Sequence, residues 1–397
     1  MQPSTKTPLP DALKRLVGQR VEAIDTPALV ADLDAMQRNL GRMAEFARKH
    51  DIRWRPHAKM HKSAAIARLQ MQAGAVGVCV QKTSEAEAMV AGGVHDVYIS
   101  NEVVTLSKLA RVADLAHAVA AENGQLAIAV DSLDGVQRLA DAMNARRQRG
   151  TAAVIDVFVE LDVGGGRCGV TPGRAAVDLA HEIRRHPALR FAGLQAYNGR
   201  AQHLRTPQAR RDAVSIVVQD VLFTRKLIEA EGVPVDLVTG AGTGSMVCEA
   251  ASGVFGELQA GSFLFMDADY AANERDTAQP QFEHALFVKS TVMSSRVQHA
   301  VCDAGHKSHA IDSGLPRVLA LEPTGELEYA NGGDEHGILR PAAGNARVPA
   351  LDDTVWLIPG HCDPTINLHN VIIGVTGGLE HGKVEKIIRV DARGALT

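Results

Sequence analysis

The chain has 397 residues, a formal net charge of -4, 46% hydrophobic and only 4% aromatic side chains. That is enough chain for two domains, and a composition suited to close helix-on-strand packing in an α/β protein. Mild acidity without a Lys/Arg run excludes nucleic acid and anionic membrane as expected partners, and no apolar stretch approaches the ~18 residues of a spanning helix. Five scattered cysteines, Cys79, Cys168, Cys248, Cys302 and Cys362, never form a C-x-x-C pair. With no apolar signal-peptide core in the first twenty residues, they predict reduced thiols in a cytoplasmic protein.

Residues 1–24 read as an arm with a short helix. Thr26-Pro27 then breaks into a strand, Ala28–Asp32, and a helix over Leu33–Lys49 places Leu33, Met36, Leu40, Met43, Ala44 and Ala47 on one face. From there short β-rich runs alternate with amphipathic helices. The runs are Ile52–Pro56, Val76–Val80, Val97–Ser100, Leu126–Val130, Ile155–Leu161, Phe191–Ala196, Val235–Thr239 and Leu258–Leu264. The helices between them are Ala64–Ala73, Ser84–Val90, Leu106–Ala121, Leu133–Arg147, Pro172–Arg185, Ala209–Glu231 and Gly244–Ser252. This alternation predicts a parallel (β/α)8 TIM-type barrel over residues 25–275, with an open doubly wound sheet as the alternative. Beyond the turn-rich stretch 267–281, the runs Leu286–Val292, Val355–Ile358, Val371–Val375 and Val384–Val390 lack helical period. Residues 282–397 therefore read as a smaller β-rich domain, joined by the arm 1–24.

A barrel demands that chemically useful residues gather at the carboxyl ends of its strands. Those ends carry Lys59, Gln81-Lys82, Asn101-Glu102, Asp131, the loop Asp162–Arg167, Tyr197-Asn198 with Arg200 and His203, Thr239–Ser245, and Gly261-Ser262. Lys59 lies in Arg53-Trp54-Arg55-Pro56-His57-Ala58-Lys59-Met60-His61-Lys62-Ser63, with Ser63 expected to cap the next helix. Taken alone, this is equally a basic surface turn. The glycine-rich turn Thr239–Ser245 and the turn at Gly261-Ser262 offer backbone N–H groups and hydroxyls as a phosphate cradle. It is not a P-loop, because no Gly-Lys-[Ser/Thr] ends it. A lysine facing two phosphate-type turns would suit a phosphorylated aldehyde, pyridoxal phosphate above all. Arg167 could meet that cofactor's phenolate oxygen, or it could be a solvated loop arginine. On an extended segment His361 and Asp363 would share one side, with Cys362 opposite, and could bind a divalent cation.

Arg55-Pro56-His57-Ala58-Lys59, Gly166-Arg167-Cys168-Gly169 and the paired phosphate turns resemble the alanine-racemase-like, fold type III pyridoxal phosphate enzymes. More narrowly, they look like the D-threonine aldolase and D-serine dehydratase group, from about Asp25 to the C-terminus. The resemblance implies that Lys59 holds the cofactor covalently and Arg167 meets its O3′. It implies further that Tyr197 lies beside the ring, that Thr243, Gly261 and Ser262 hold the phosphate, and that Gln81 lines the pocket. Gln259 stands where the racemases carry an arginine on the pyridine nitrogen, which implies a weaker electron sink. In this family the pair at His361 and Asp363 is the metal site. His-x-Cys goes with zinc-dependent dehydratases and His-x-Asp with aldolases using manganese or magnesium, a direction that the harder carboxylate ligand also favours.

The expected function is therefore cleavage of a D-β-hydroxy-α-amino acid, such as D-threonine or D-3-hydroxyaspartate, to glycine and an aldehyde. His361 or another group near the metal would take the hydroxyl proton, while His57 and His61 tune the surroundings of Lys59. The alternatives are β-elimination to an oxo-acid and ammonia, and a non-catalytic pyridoxal phosphate carrier. Asn101, Arg200 and His306 are candidates for the side-chain pocket, and Arg200, Lys307 or Arg340 for a second substrate carboxylate. His309 and the segment Asp334–Gly337 read as structural. A homodimer is implied by the resemblance alone.

Overall fold

The computed structural model describes residues 8–147, 153–320, 325–342 and 347–397. Residues 1–7 of the expected arm lie outside them. An eight-stranded parallel sheet takes the strands Arg53–Trp54, Val78–Val80, Asp96–Ile99, Gln125–Val130, Ile155–Glu160, Leu189–Ala196, Leu237–Gly240 and Glu257–Leu258. From Val78–Val80 to Glu257–Leu258 each strand pairs with the next in sequence, and the last pairs with Arg53–Trp54. Closure is completed between the first two strands, where the Cys79 N–H donates to the Pro56 carbonyl at 2.9 Å and the Val76 N–H to the Trp54 carbonyl at 3.0 Å. The sheet is thus a TIM-like barrel, and the open-sheet alternative falls.

The periodic helices Leu33–Lys49, Leu106–Ala121 and Leu133–Arg147 form with the bounds read from the sequence. Helix periodicity is local, and each of these buries one apolar face, as Leu109, Val112, Ala116 and Val119 do on the second. The run Leu258–Leu264 forms differently. Its strand ends at Leu258, and Ser262–Leu264 is a 3-10 turn. The Gln259 N–H bonds the Gly240 carbonyl at 2.7 Å, after which the chain turns across the barrel mouth.

The second sheet has nine strands, among them Leu286–Ser295, Thr354–Ile358, Val371–Thr376 and Lys383–Arg389. Ala28–Asp32 belongs to it, although sequence reading put this strand with the barrel: it runs antiparallel to Leu286–Ser295 and parallel to Val371–Thr376. Leu29, Val30 and Ala31 are all buried, so both faces of the strand are covered. The arm adds to the sheet edge, with the Gly18 N–H on the Val384 carbonyl at 2.8 Å and the Val21 N–H on the Gly382 carbonyl at 3.1 Å. Between Thr354–Ile358 and Val371–Thr376 the chain leaves the sheet as a short helix, Cys362–Asn367, which brings His361 and Asp363 to the barrel mouth.

Candidate active site

At the carboxyl ends of the barrel strands lies a cavity lined by Lys59, Gln81, Arg167, Tyr197, Thr243, Gly261, Ser262, His361 and Asp363, the residues expected to meet the cofactor and the metal. His57, Ser100, Gln195, His203, Gln259 and Tyr270 complete its wall. Asn101, Arg200, His306, Lys307 and Arg340 are not among its lining residues. Asn101 instead donates to the Gln81 carbonyl at 3.1 Å, and Lys307 pairs with Asp334 and Glu335. His309 is buried against the Tyr329 hydroxyl at 2.9 Å.

Lys59 sits in a one-turn 3-10 helix, Ala58–Met60, immediately after the first strand. Two residues of the motif face away from the cavity and fix that turn. The Arg55 guanidinium is buried beneath the barrel floor, 3.2 Å from Glu257 and also paired with Asp96. His61 is fully buried, accepts from the Ser63 N–H at Nδ1 (3.1 Å) and donates from Nε2 to Gln70 at 3.1 Å. Ser63 does not cap the next helix as expected: its hydroxyl is buried without a partner among the described residues. Asp391, from beyond the last strand, accepts the Ala64 N–H at 2.9 Å in its stead.

His57 Nδ1 accepts from the Lys59 N–H at 3.4 Å, and Nε2 meets the Ser100 hydroxyl at 3.3 Å. Burial, reinforced by Lys59, His61 and Arg167, pushes its pKa well below the usual histidine value, so it is a neutral wall. Arg167 lies 5.4 Å from the centroid of the Tyr197 ring, a cation–π distance. Burial raises the Tyr197 pKa against the pull of Lys59 and Arg167, so its hydroxyl stays protonated at neutral pH. The Gln259 amide donates to Gln195 at 2.7 Å and to Thr239 at 2.9 Å, presenting a neutral group to the cavity.

Across the mouth, the Thr243 hydroxyl oxygen accepts the Phe263 N–H at 3.0 Å, tying the two glycine turns together. The backbone N–H groups of Gly242, Thr243 and Gly261 find no acceptor among the described residues. A Cβ on Gly261 would lie 2.9 Å from the His57 carbonyl oxygen, so only glycine lets the turn approach the Lys59 helix this closely.

His361 and Asp363 arrive on the second sheet's helix. The segment is not the extended run expected: His361 is the extended residue before the helix, and Asp363 lies in its first turn. The two side chains still converge, with His361 Nε2 3.9 Å from Asp363 Oδ1. Asp363 Oδ2 is 3.9 Å from Lys59 Nζ, and Oδ1 is buried with no hydrogen-bond partner among the described residues. Burial disfavours the charged imidazole of His361, but Asp363 and Asp312 outweigh it and raise its pKa. Cys362 points away, its thiol 3.8 Å from the Met266 carbonyl, while its N–H donates to buried Asp267 at 3.2 Å.

One site residue was underread in the sequence. His203, noted there only as a strand-end residue, donates from Nδ1 to Asp269 Oδ2 at 2.6 Å and packs its ring on Tyr270, with centroids 5.6 Å apart. Asp269 is held below the ordinary carboxylate range, since Arg205 and His203 together outweigh the burial that opposes ionisation. Its partner lies 66 positions along the chain, a pairing with no local signal.

Comparison with known proteins places this architecture. The model for the alanine racemase N-terminal domain matches residues 31–269, and one for a serine dehydratase domain matches residues 285–375. The chain is 41% identical to 3-hydroxy-D-aspartate aldolase of Paracoccus denitrificans (strain Pd 1222), covering 96% of this chain and 95% of that one. It is 42% identical to D-threonine aldolase of an Arthrobacter species, covering 95% of each. The crystal structure of D-threonine aldolase from Filomicrobium marinum superposes with a TM-score of 0.89 at 44% identity, covering 96% of this chain and 99% of that one. D-threo-3-hydroxyaspartate dehydratase from Delftia sp. HT23 is more distant, with a TM-score of 0.79 at 25% identity over 93% and 98% of the two chains. The chain belongs to the D-threonine aldolase and 3-hydroxy-D-aspartate aldolase family of alanine-racemase-like proteins, and it is an enzyme of the lyase class.

Proposed function

We propose that this enzyme is a pyridoxal phosphate- and divalent metal-dependent aldolase that cleaves D-β-hydroxy-α-amino acids, of the D-threonine or D-3-hydroxyaspartate kind, to glycine and an aldehyde. The observation that carries the reading is the meeting of an amine, an orphaned carboxylate oxygen and an imidazole in one cavity: Lys59, Asp363 and His361.

The residues present fit both groups. The unpaired N–H groups of Gly242, Thr243 and Gly261, with the Ser262 hydroxyl nearby, form a concave donor set of the kind that holds a phosphate. Lys59 would carry the cofactor, with Arg167 at its O3′, Tyr197 beside the ring and Gln81 on the wall. For the cation, Asp363 Oδ1 is a buried oxygen lacking any donor, and His361 Nε2 is the ring nitrogen left open once Nδ1–H is committed to Asp312. A carboxylate in place of a thiolate beside the imidazole shifts preference from zinc towards harder cations such as manganese or magnesium. Bound there, the cofactor supplies a carbonyl for covalent capture of an amine and an electron sink, and the cation supplies a Lewis acid for the β-hydroxyl.

The chain's own part is to bind, orient and move protons. Lys59 is the amine that the substrate's amine displaces and that returns at the end. His361 was the first candidate for taking the β-hydroxyl proton, but its two ring nitrogens are engaged by Asp312 and faced by Asp363. His203 is the better base. Asp269 fixes its Nδ1–H and would stabilise the imidazolium, while Nε2 makes no hydrogen bond among the described residues. Neutral Gln259 and neutral His57 leave Arg167 and Lys59 as the strong positive charges in the cavity wall. A homodimer accords with the family resemblance. A cytoplasmic setting accords with five free cysteines, and no helix is long and apolar enough to cross a membrane among the described residues.

The test is incubation of the holoenzyme with D-threonine, with and without EDTA, assaying glycine and 2-oxobutyrate. Metal-dependent glycine is expected. Oxo-acid and ammonia without glycine would move the assignment to the dehydratase reaction named for the 29% identical Delftia relative. Undiminished turnover after EDTA would remove the metal.

A further inference from the structure

The stretch between Lys59 and the helix Ala64–Gln72 is strained and is held from outside. Lys62 adopts a left-handed backbone with φ of 51°, a conformation that is unfavourable for a residue carrying a side chain. Its side chain turns inward, only 7% exposed, and places Nζ 2.7 Å from Glu85 Oε1. Both ends of its environment are gripped by the segment that follows the last strand. The Ala392 N–H donates to the Lys62 carbonyl at 3.0 Å, and Lys62 Nζ reaches back to the Ala392 carbonyl at 3.4 Å. One residue earlier, Asp391 takes the Ala64 N–H at 2.9 Å, the capping task that Ser63 leaves undone.

The same segment grips the other half of the site. Arg393 donates from Nε to the Asn367 carbonyl at 3.3 Å and also bonds the Asn370 side chain. The Gly394 N–H donates to Asn367 Oδ1 at 3.0 Å. Asn367 is the last residue of the helix that carries Asp363 and begins just after His361. Glu85 extends the network to a third wall of the cavity, since its Oε2 accepts the N–H groups of Gln81 at 2.9 Å and Lys82 at 3.2 Å.

We propose that residues 391–394 form a strap that fixes the position of Lys59 relative to His361 and Asp363, with Asp391 as a positioning residue for the lysine turn. The strap bonds the backbone on the far side of Lys59 and the far end of the metal-bearing helix, so the two halves of the cavity keep one spacing. The physical need is plain. Lys59 follows a barrel strand and Asp363 lies on a helix between two strands of the second sheet, and among the described residues the two side chains approach no closer than 3.9 Å. Loss of the strap lets the Lys62 backbone relax and separates the two halves, so cofactor retention and metal affinity fall together.

This inference rests on the reading of Lys59 as the cofactor lysine and of His361 and Asp363 as the metal pair. The wild-type holoenzyme is therefore treated first with borohydride and mapped by mass spectrometry. Cofactor fixed on Lys59 upholds that reading, and an unlabelled Lys59 removes it and the strap's role with it. Asp391→Ala and Asp391→Asn holoenzymes are then dialysed against cofactor-free buffer and titrated with manganese alone. Asp391→Ala should release cofactor at least tenfold faster, bind manganese several-fold more weakly, and shift the pH titration of the Lys59-bound chromophore. Asp391→Asn, which keeps an acceptor for the Ala64 N–H, should recover most of each. Arg393→Ala, which cuts the strap's hold on the metal-bearing helix at the surface, should lower manganese affinity and cofactor retention together, and it serves if Asp391→Ala fails to fold. A lowered Tm with chromophore titration, cofactor release and manganese affinity unchanged in both alanine variants would overturn the proposal.

Discussion

His361 Nδ1 donates to Asp312 Oδ2 at 2.7 Å, which leaves Nε2 as the only nitrogen of that ring able to act as a ligand. Asp312 lies 49 residues upstream, on a different segment of the second domain, yet it chooses the tautomer. Carboxylate partners of ligating histidines are worth about 10–100-fold in metal affinity. Asp312→Ala should therefore weaken manganese binding by about that factor while leaving the cofactor absorbance intact. Asp363→Asn, which alters a proposed ligand itself, should abolish turnover with the same absorbance retained. Calorimetric titration of manganese and a visible spectrum of each variant decide this.

Replacing His203 with Asn should lower kcat by about 10²–10⁴, the range for loss of a general base, with KM changed far less. Asp269→Asn should cost less, because it removes the orienting carboxylate but not the imidazole. A His203 variant that kept the wild-type rate would return the base to another group near the metal.

Gly261→Ala places a methyl 2.9 Å from the His57 carbonyl oxygen and 3.2 Å from its Cβ. The first neighbour is backbone and cannot swing aside, so the turn must move away from the Lys59 helix. Cofactor affinity should fall at least tenfold, seen as faster loss of the visible absorbance on dialysis, with far-ultraviolet circular dichroism unchanged.

Burial drives the His61 pKa down to about 4 from 6.5. Its neutral ring is fully used, accepting at Nδ1 and donating at Nε2, so a second proton would break the bond from the Ser63 N–H. Between these two values the unfolded chain binds the proton and the folded one does not. Stability from this group is thus fully present above about pH 6.5 and is lost as pH falls towards 4. The loss is on the order of 3 kcal/mol for a shift of this size. In carbon-labelled histidine NMR spectra the His61 signal should not titrate above about pH 5, and His61→Gln should show a shallower decline of Tm with acid.

What the sequence by itself determined was whatever repeats over a few residues. Apolar runs alternating with helices specified the barrel strands, 3.6-residue periodicity set the bounds of Leu33–Lys49, Leu106–Ala121 and Leu133–Arg147, and strand-end chemistry from Lys59 to Ser262, with the spacing of His361 and Asp363, pointed to residues that line one cavity. These signals are legible because each depends on neighbours within one element. Tertiary structure decided what depends on distant partners. It assigned Ala28–Asp32 to the second sheet, replaced Ser63 by Asp391 as the cap, ended the eighth strand at Leu258, and paired His203 with Asp269 and His361 with Asp312. The physical reason is that a hydrogen bond or a strand pair across tens or hundreds of residues is selected by the packing of the whole chain. A carboxylate carries no local mark of which imidazole it will meet.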